Sequence, residues 1–239
     1  MATCSDSDTN TEYDQSHESD FTKPDHAKAT GLDMELYVKQ RDSEHWPKSG
    51  QHILAQFTDE DVVVYQAFKQ SIASYAVENQ QFGGPDYSLS RMSWIKTNFL
   101  WMMYRSGWST KSNQQHILAI KIKRKAFDDV LANAYTAQYQ KSMGIETKDI
   151  EVRLQWDPDH KPDYTNENRR AIQLGLKGET LQKFGTTDIV SITDITKFVR
   201  EQKKILDKGG QSQLIIPRER VYPVADPNVR ARIGLDEVS

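Results

Sequence analysis

The segment RMSWIKTNFLWMMYRSGW, residues 91–108, sets Arg91, Lys96 and Arg105 among three tryptophans, a tyrosine, a phenylalanine and three methionines. A pure core segment avoids unpaired charges, because burying one is expensive. A plain surface segment avoids so many large apolar groups. The mixture points to a place that holds something anionic and aromatic. Guanidinium forks match phosphate oxygens, so Arg91, Lys96 and Arg105 are expected to hold phosphate. Trp94, Tyr104 or Trp108 is expected to stack on a base, a contact worth about 1–3 kcal/mol per base in single-strand binders. The competing expectation makes the aromatics core and lets the cations reach back to the surface along their alkyl stems.

Amides in strand-like runs add to the set. In DVVVYQAF, residues 61–68, Gln66 shares a face with Val62, Val64 and Phe68. In EVRLQWDP, Arg153, Gln155 and Asp157 share a face, and an Arg153–Asp157 salt bridge is the plain reading. In AIQLGL, Gln173 lies beside Gly175, where a glycine permits close backbone approach by a ligand. An amide donates and accepts at once, which suits the edge of a nucleobase or a carboxamide. Gln66, Gln155 and Gln173 are therefore expected to meet over one cleft and orient a base, with Asp157 as the first carboxylate to test as a catalytic base. Phosphate-loop, dinucleotide-fingerprint and nucleophile-elbow patterns are missing.

The elements that would position these residues follow from periodicity. DVVVYQAF and HILAIKI (116–122) have strand length and β-branched content. EVRLQW (151–156), ending at Asp157-Pro158, then AIQLGL (171–176) and DIVSI (188–192) extend the series. A helix spans 70–80 and stops at Gly83-Gly84-Pro85. FLWMMYR forms a short helix capped by Thr97 or Asn98 and ended by Gly107. Residues 124–139 carry Phe127, Val130, Leu131 and Ala134 at helical spacing. GETLQKF forms another helix, and Asp194 caps a last one with Phe198 and Val199 on its apolar face. Irregular interleaving of strands and helices predicts a single α+β domain over 49–222 with a mixed, mostly antiparallel sheet, not a doubly wound parallel one.

Residues 1–50 carry five Lys/Arg and eleven Asp/Glu, a net charge of −6 against −3 for the whole chain, which leaves 51–239 at +3. The acidic, aliphatic-poor head predicts a disordered extension over 1–48, available as a partner-binding tail. Residues 223–239 read as a C-terminal tail. The lone Cys4 excludes disulfides within the chain. With no secretory signal and no membrane-length apolar run, a cytoplasmic or nuclear home and no membrane partner are expected. The histidines show no metal-ligand spacing, so no metal is expected.

The ordered series VVVYQAF, FGGP, RMSWIKTNFLWMMYRSGW, ILAIKI, VRLQWDP, RRAIQLGL and ITDITKFVR resembles the family called domain of unknown function 4291, over about residues 51–222. In outline, VVVYQAF, SIASYAVENQQFGG and NFLWMMYRSGW followed by HILAIKI are similar to small ADP-ribosyltransferase-like domains. That resemblance implies a split sheet, NAD as the cofactor and transfer of ADP-ribose to nucleic acid or protein. The sequence departs from it at Gln66, where such enzymes place His or Arg. It departs again at Gln173 or Gln155, where a catalytic Glu is expected; Gln173 and Asp157 are then the catalytic candidates. The rival reading is a non-enzymatic nucleic-acid-binding module that uses 91–108 for backbone and base contacts. A net charge of only +3 on the body speaks against it.

Overall fold

The computed structural model describes residues 24–236. The chain opens with α1 (Pro24–Thr30), β1 (Met34–Leu36), α2 (Tyr37–Asp42), β2 (Gly50–Gln51) and β3 (Leu54–Ala55). The central run is β4 (Asp61–Phe68), α3 (Gln70–Asn79), β5 (Ser93–Lys96), α4 (Phe99–Ser106), β6 (His116–Lys123) and α5 (Arg124–Ala132). Then come β7 (Ala134–Thr136), α6 (Ala137–Ser142), β8 (Val152–His160), β9 (Asn166–Leu176) and α7 (Gly178–Gly185). The last elements are β10 (Ile189–Asp194), α8 (Thr196–Asp207), β11 (Ile215–Pro217), β12 (Arg220–Val221) and α9 (Pro227–Ile233).

The main sheet runs β10-β6-β4-β5-β9-β8-β7, and β2 pairs with β9. Its pairings are antiparallel except β2–β9 and β7–β8. The architecture is α+β, as the sequence predicts, and the sheet is nearly split. β4 and β5 share a single registered pair, Tyr65 opposite Lys96, whereas β4 and β6 are in register from Asp61 to Phe68.

Strand periodicity sends alternate residues to two layers. Val62 and Val64 of β4, with Leu118, Ile120 and Leu174, join one core under α3, α5, α7 and α9. Val63, Tyr65, Ile117 and Ala119 join a second core under α4 and α8. This is why DVVVYQAF is apolar on both faces. The second core covers only the β10-β6-β4 half. On β5, β9 and β8 the same face carries Lys96, Gln173, Gln155 and Asp157.

Both expected boundaries move outward. Residues 24–48 are not a loose extension: Leu32, Tyr37, Gln40 and Trp46 are buried, and β1 pairs with β11. Only residues 1–23 of the expected acidic extension, Cys4 among them, lie outside the described residues. Residues 223–236 are not a tail either, since α9 buries Val229 and Ile233 in the first core. In both segments a few well-placed large side chains outweigh a polar average composition. The helix expected over 124–139 stops at Asn133, whose Nδ2 bonds back to Asp129 O, and β7 and α6 follow. β8 runs on through Pro158 to His160, because the register shift between those two residues is a bulge that a proline tolerates.

Ile233→Ala tests the packed C-terminus. Loss of a fully buried aliphatic side chain is expected to cost about 2–5 kcal/mol in urea unfolding. A change within about 0.5 kcal/mol would mark this segment as a tail after all.

Candidate functional site

The polar face is built from two rows of residues. Lys96 stands opposite Gln173, and Gln173 opposite Gln155. In the adjacent row Trp94 stands opposite Gly175, and Gly175 opposite Arg153. A Cβ on Gly175 would lie 2.6 Å from Met92 Sδ and 2.9 Å from Trp94 Cε2. The glycine therefore makes room for the Trp94 indole, not for a ligand as its position in the sequence suggests. Helix α4 delivers the next group. Asn98 Oδ1 accepts from Trp101 N at 2.7 Å and starts the helix, and Gly107 at φ +59° ends it, as the sequence predicts. Trp101, Tyr104 and Arg105 ride on this one helix.

Lys96 is buried, its Nζ donating to Trp94 O at 3.0 Å and lying 5.4 Å from the Trp101 ring centroid. Burial, reinforced by the nearby Arg105 charge, lowers its pKa to about 7; Asp157 opposes that shift. Gln173 Nε2 donates to Asp157 Oδ2 at 2.6 Å and to Gln155 Oε1 at 3.0 Å. Burial raises the Asp157 carboxyl above its ordinary value, against the Gln173 bond and the pull of Lys96, Arg170 and His160. The imidazole of His160 stacks on Tyr104 with centroids 3.5 Å apart and planes at 11°. Burial lowers the His160 pKa.

Several buried polar atoms here lack a partner among the described residues. They are Trp101 Nε1, Arg153 Nε, His160 Nδ1, Tyr65 Oη and Thr97 Oγ1. Most buried polar groups in folded proteins are paired, so such a concentration asks for an explanation. The Trp101 and Arg153 atoms are obligate donors. They call for acceptor oxygens.

The start of α4 is held from below. Glu219, fully buried, accepts from Phe99 N at 2.6 Å and from Asn98 Nδ2 at 3.2 Å. Burial pushes its carboxyl well above the ordinary range. The buried Arg169 donates to Asp159 at 2.5 Å and lies over the Trp46 ring at 4.9 Å. The N- and C-terminal segments thus fix the helix that presents Trp101, Tyr104 and Arg105.

Of the residues singled out in the sequence, Trp94, Lys96, Gln155, Asp157 and Gln173 share this face of the sheet, and α4 brings Tyr104 and Arg105 to it. Gln66 does not join them. Its neighbour Tyr65 is in register with Lys96, so Gln66 points to the other face, where Nε2 donates to Ser93 Oγ at 2.7 Å and Trp94 O at 3.1 Å. It ties the split halves of the sheet together instead of contacting a base. Arg91 is exposed in the turn before β5, roughly 16 Å along an extended chain from Lys96. Trp108 is core, with Nε1 donating to Pro162 O at 3.3 Å. Arg153 does not pair with Asp157, which takes its bond from Gln173. Sequence reasoning missed Trp101 and His160: the first looked like core, and the second lay past the expected end of a strand. Gln155 and Asp157 also wall a cavity of about 670 Å³, completed by Thr136, Tyr139, Trp156 and Arg232. Among the described residues, no cluster of three or more His, Cys, Asp or Glu side chains could hold a metal ion. No described helix is long and apolar enough to cross a membrane.

The fold and site define an α+β domain whose nearly split sheet buries a lysine beside an amide–carboxylate pair and a row of unpaired donors. The chain matches the family model Domain of unknown function (DUF4291) over residues 52–222 and belongs to that family. No curated protein matches it. Residues 24–51 and 223–236, which lie outside that match, pack into the same body.

The lowered Lys96 pKa has a thermodynamic consequence. Between about pH 7 and the ordinary lysine value of 10.5 the unfolded chain holds a proton at this position that the folded chain does not. Stability conferred by the native state therefore rises with pH across that window, by at most about 1.4 kcal/mol per unit. Urea unfolding from pH 7 to 9 is expected to show this rise in the wild type relative to Lys96→Met. Parallel stability profiles for the two proteins would contradict a lysine held neutral.

Proposed function

We propose that the polar half of the sheet binds a nucleotide-like anion, with NAD and ADP-ribose as the first candidates. The observation that carries this reading is the set of unpaired buried donors, Trp101 Nε1 and Arg153 Nε, on the face that carries Lys96. A buried donor without a partner costs about 1–3 kcal/mol, which an acceptor-rich ligand relieves. Phosphate oxygens are such acceptors, and Arg105 and Arg153 supply guanidinium forks for them. Trp94, and Tyr104 on the side not stacked by His160, offer ring faces for a base, and Gln155 and Gln173 offer amides for its edge. The adjoining cavity, about 670 Å³, is within the range of ligand pockets.

The chemistry proposed at this site is an NAD-dependent ADP-ribosyl transfer to a nucleic acid or protein acceptor. NAD supplies a ribosyl group activated by its nicotinamide. Toward it, Gln173 and Gln155 orient the base, Arg105 and Arg153 hold the diphosphate, and Asp157 handles protons. Gln173 is a weak stand-in for a catalytic carboxylate, but it delivers its amide directly to one, Asp157.

A second reading, a nucleic-acid-binding module, draws support from a different observation. Tyr104 and Tyr164 are both exposed with ring centroids 6.0 Å apart, and Lys111 Nζ lies 5.5 Å from the Tyr104 centroid. Adjacent exposed rings with a cation suit successive bases. A salt series separates the two readings, since backbone-dominated binding falls steeply with salt.

Calorimetric titration with NAD, ADP-ribose, ATP and mononucleotides tests the first reading. Saturable heat is expected from at least one. Arg105→Lys keeps the charge and loses the fork, so it is expected to weaken that binding about tenfold, roughly 1.4 kcal/mol, with an unchanged Tm. Absence of heat with all of them at millimolar concentration would sink the proposal.

A further inference from the structure

Tyr164 stands at the tip of the β8–β9 hairpin with φ +72°. That left-handed conformation suits Gly or Asn and strains a bulky side chain. The turn closes without help from the ring. Tyr164 N donates to Lys161 O at 3.0 Å, and Asp163 Oδ1 accepts from Thr165 N at 3.0 Å and from Thr165 Oγ1 at 2.7 Å. The Tyr164 ring itself is exposed. A turn selected for stability alone would carry Gly or Asn here, so the ring has another use.

The turn facing it is strained as well. Gly107, Trp108 and Ser109 are three consecutive left-handed residues, with φ +59°, +52° and +67°. This turn buries Trp108, whose Nε1 donates to Pro162 O at 3.3 Å and so ties the hairpin to the end of α4. The tie holds the Tyr164 ring 6.0 Å from the Tyr104 ring, with their planes at 66°. His160, stacked on Tyr104, backs that ring. Cations flank the pair. Lys111 Nζ lies 5.5 Å from the Tyr104 centroid, and Arg200 of α8 donates to Ser109 Oγ at 3.2 Å. Neither cation joins an ion pair among the described residues. Lys203 and Asp207 of α8 also act on Tyr164, but they pair with each other. The Asp163 carboxylate is taken up by Thr165. The local balance is therefore positive.

We infer that the notch between Tyr164 and Tyr104 seats an unpaired base of a single-stranded nucleic acid, with Tyr164 as the stacking platform and Lys111 and Arg200 beside the phosphates. The inference rests on the nucleic-acid reading above and adds to it the form of the strand and the residue that holds the base. Rings inclined at 66° cannot both lie flat against neighbouring bases of a regular stack, so the strand must turn between them. A flexible single strand can make that turn and offers free base faces, whereas a duplex keeps its bases stacked on each other. The small net charge of the body is no obstacle to a contact that depends on ring faces and two local cations.

Fluorescence anisotropy on the full-length protein tests this. The probes are a labelled oligothymidylate of about 12 nucleotides, the same strand annealed to its complement, an abasic strand of equal length, and a labelled proline-rich peptide, a ligand class that also fits aromatic grooves. The single strand is expected to bind, and the duplex and the abasic strand to bind at least about tenfold more weakly. Tyr164→Asn removes the ring and keeps a residue suited to the left-handed turn. It is expected to weaken single-strand binding about tenfold while the Tm stays the same or rises; Tyr164→Trp, which keeps a ring, is expected to retain binding. Single-strand binding that Tyr164→Asn leaves unchanged, or that the abasic strand equals, would overturn this inference and leave the nucleic-acid reading standing. A clear fall in Tm in Tyr164→Asn would make the ring structural, with the same consequence. No binding of any oligonucleotide would overturn both, and binding of the peptide alone would give the notch to a protein partner.

Discussion

Strands β4 and β5 meet through a single registered pair, Tyr65 opposite Lys96, and the different filling of the two half-sheets turns on that narrow join. Two half-sheets meet there. On the β10-β6-β4 side the second face is filled with apolar side chains under α4 and α8. On the β5-β9-β8 side it is polar. Lys96 sits at the seam, buried between the apolar half and the polar half. A full ladder between β4 and β5 would leave no such junction. The Gln66 amide, bonded to Ser93 and Trp94 from the other face, holds the halves together where ladder bonds are few.

Because the seam is narrow, the helix that crosses it must be placed accurately. Asn98 and Glu219 fix the first turn of α4, one by capping it and one by accepting from its first amide. Glu219 comes from the far end of the sequence, next to β12. Trp46, from the opposite end, covers Arg169 and so shields its ion pair with Asp159. Breaking one partner of such a buried pair leaves an uncompensated charge, which is strongly destabilising. The terminal segments are in this sense part of the site: they determine where Trp101, Tyr104 and Arg105 stand.

Much of this was legible in the sequence, for stated reasons. DVVVYQAF is apolar on both faces because both layers meet on β4. Asn98 and Gly107 bracket α4 through ordinary capping chemistry. The Gln155–Asp157 and Gln173 faces followed from alternation alone. What alternation within one strand cannot supply is the register between strands. Gln66 reads as a companion of Gln173 until Tyr65 is seen opposite Lys96. Arg153 reads as a partner of Asp157 until Gln173 is seen between the strands. Composition averages hid the buried Trp46 and Ile233, because a few large side chains decide whether a polar segment docks. Gly175 shows the same limit: a strand glycine signals close approach, but only the fold shows that an indole makes it.

The proposed role of the unpaired donors Trp101 Nε1 on α4 and Arg153 Nε on β8 is to meet the oxygens of an anionic ligand. It is tested most directly by following the Trp101 Nε1–H and Arg153 Nε–H resonances by NMR during titration with ADP-ribose. Both signals are expected to move together and saturably, while the Trp108 indole, already bonded to Pro162 O, stays in place. Unmoved Trp101 and Arg153 signals at a ligand concentration that saturates calorimetric binding would put the ligand elsewhere and contradict the account.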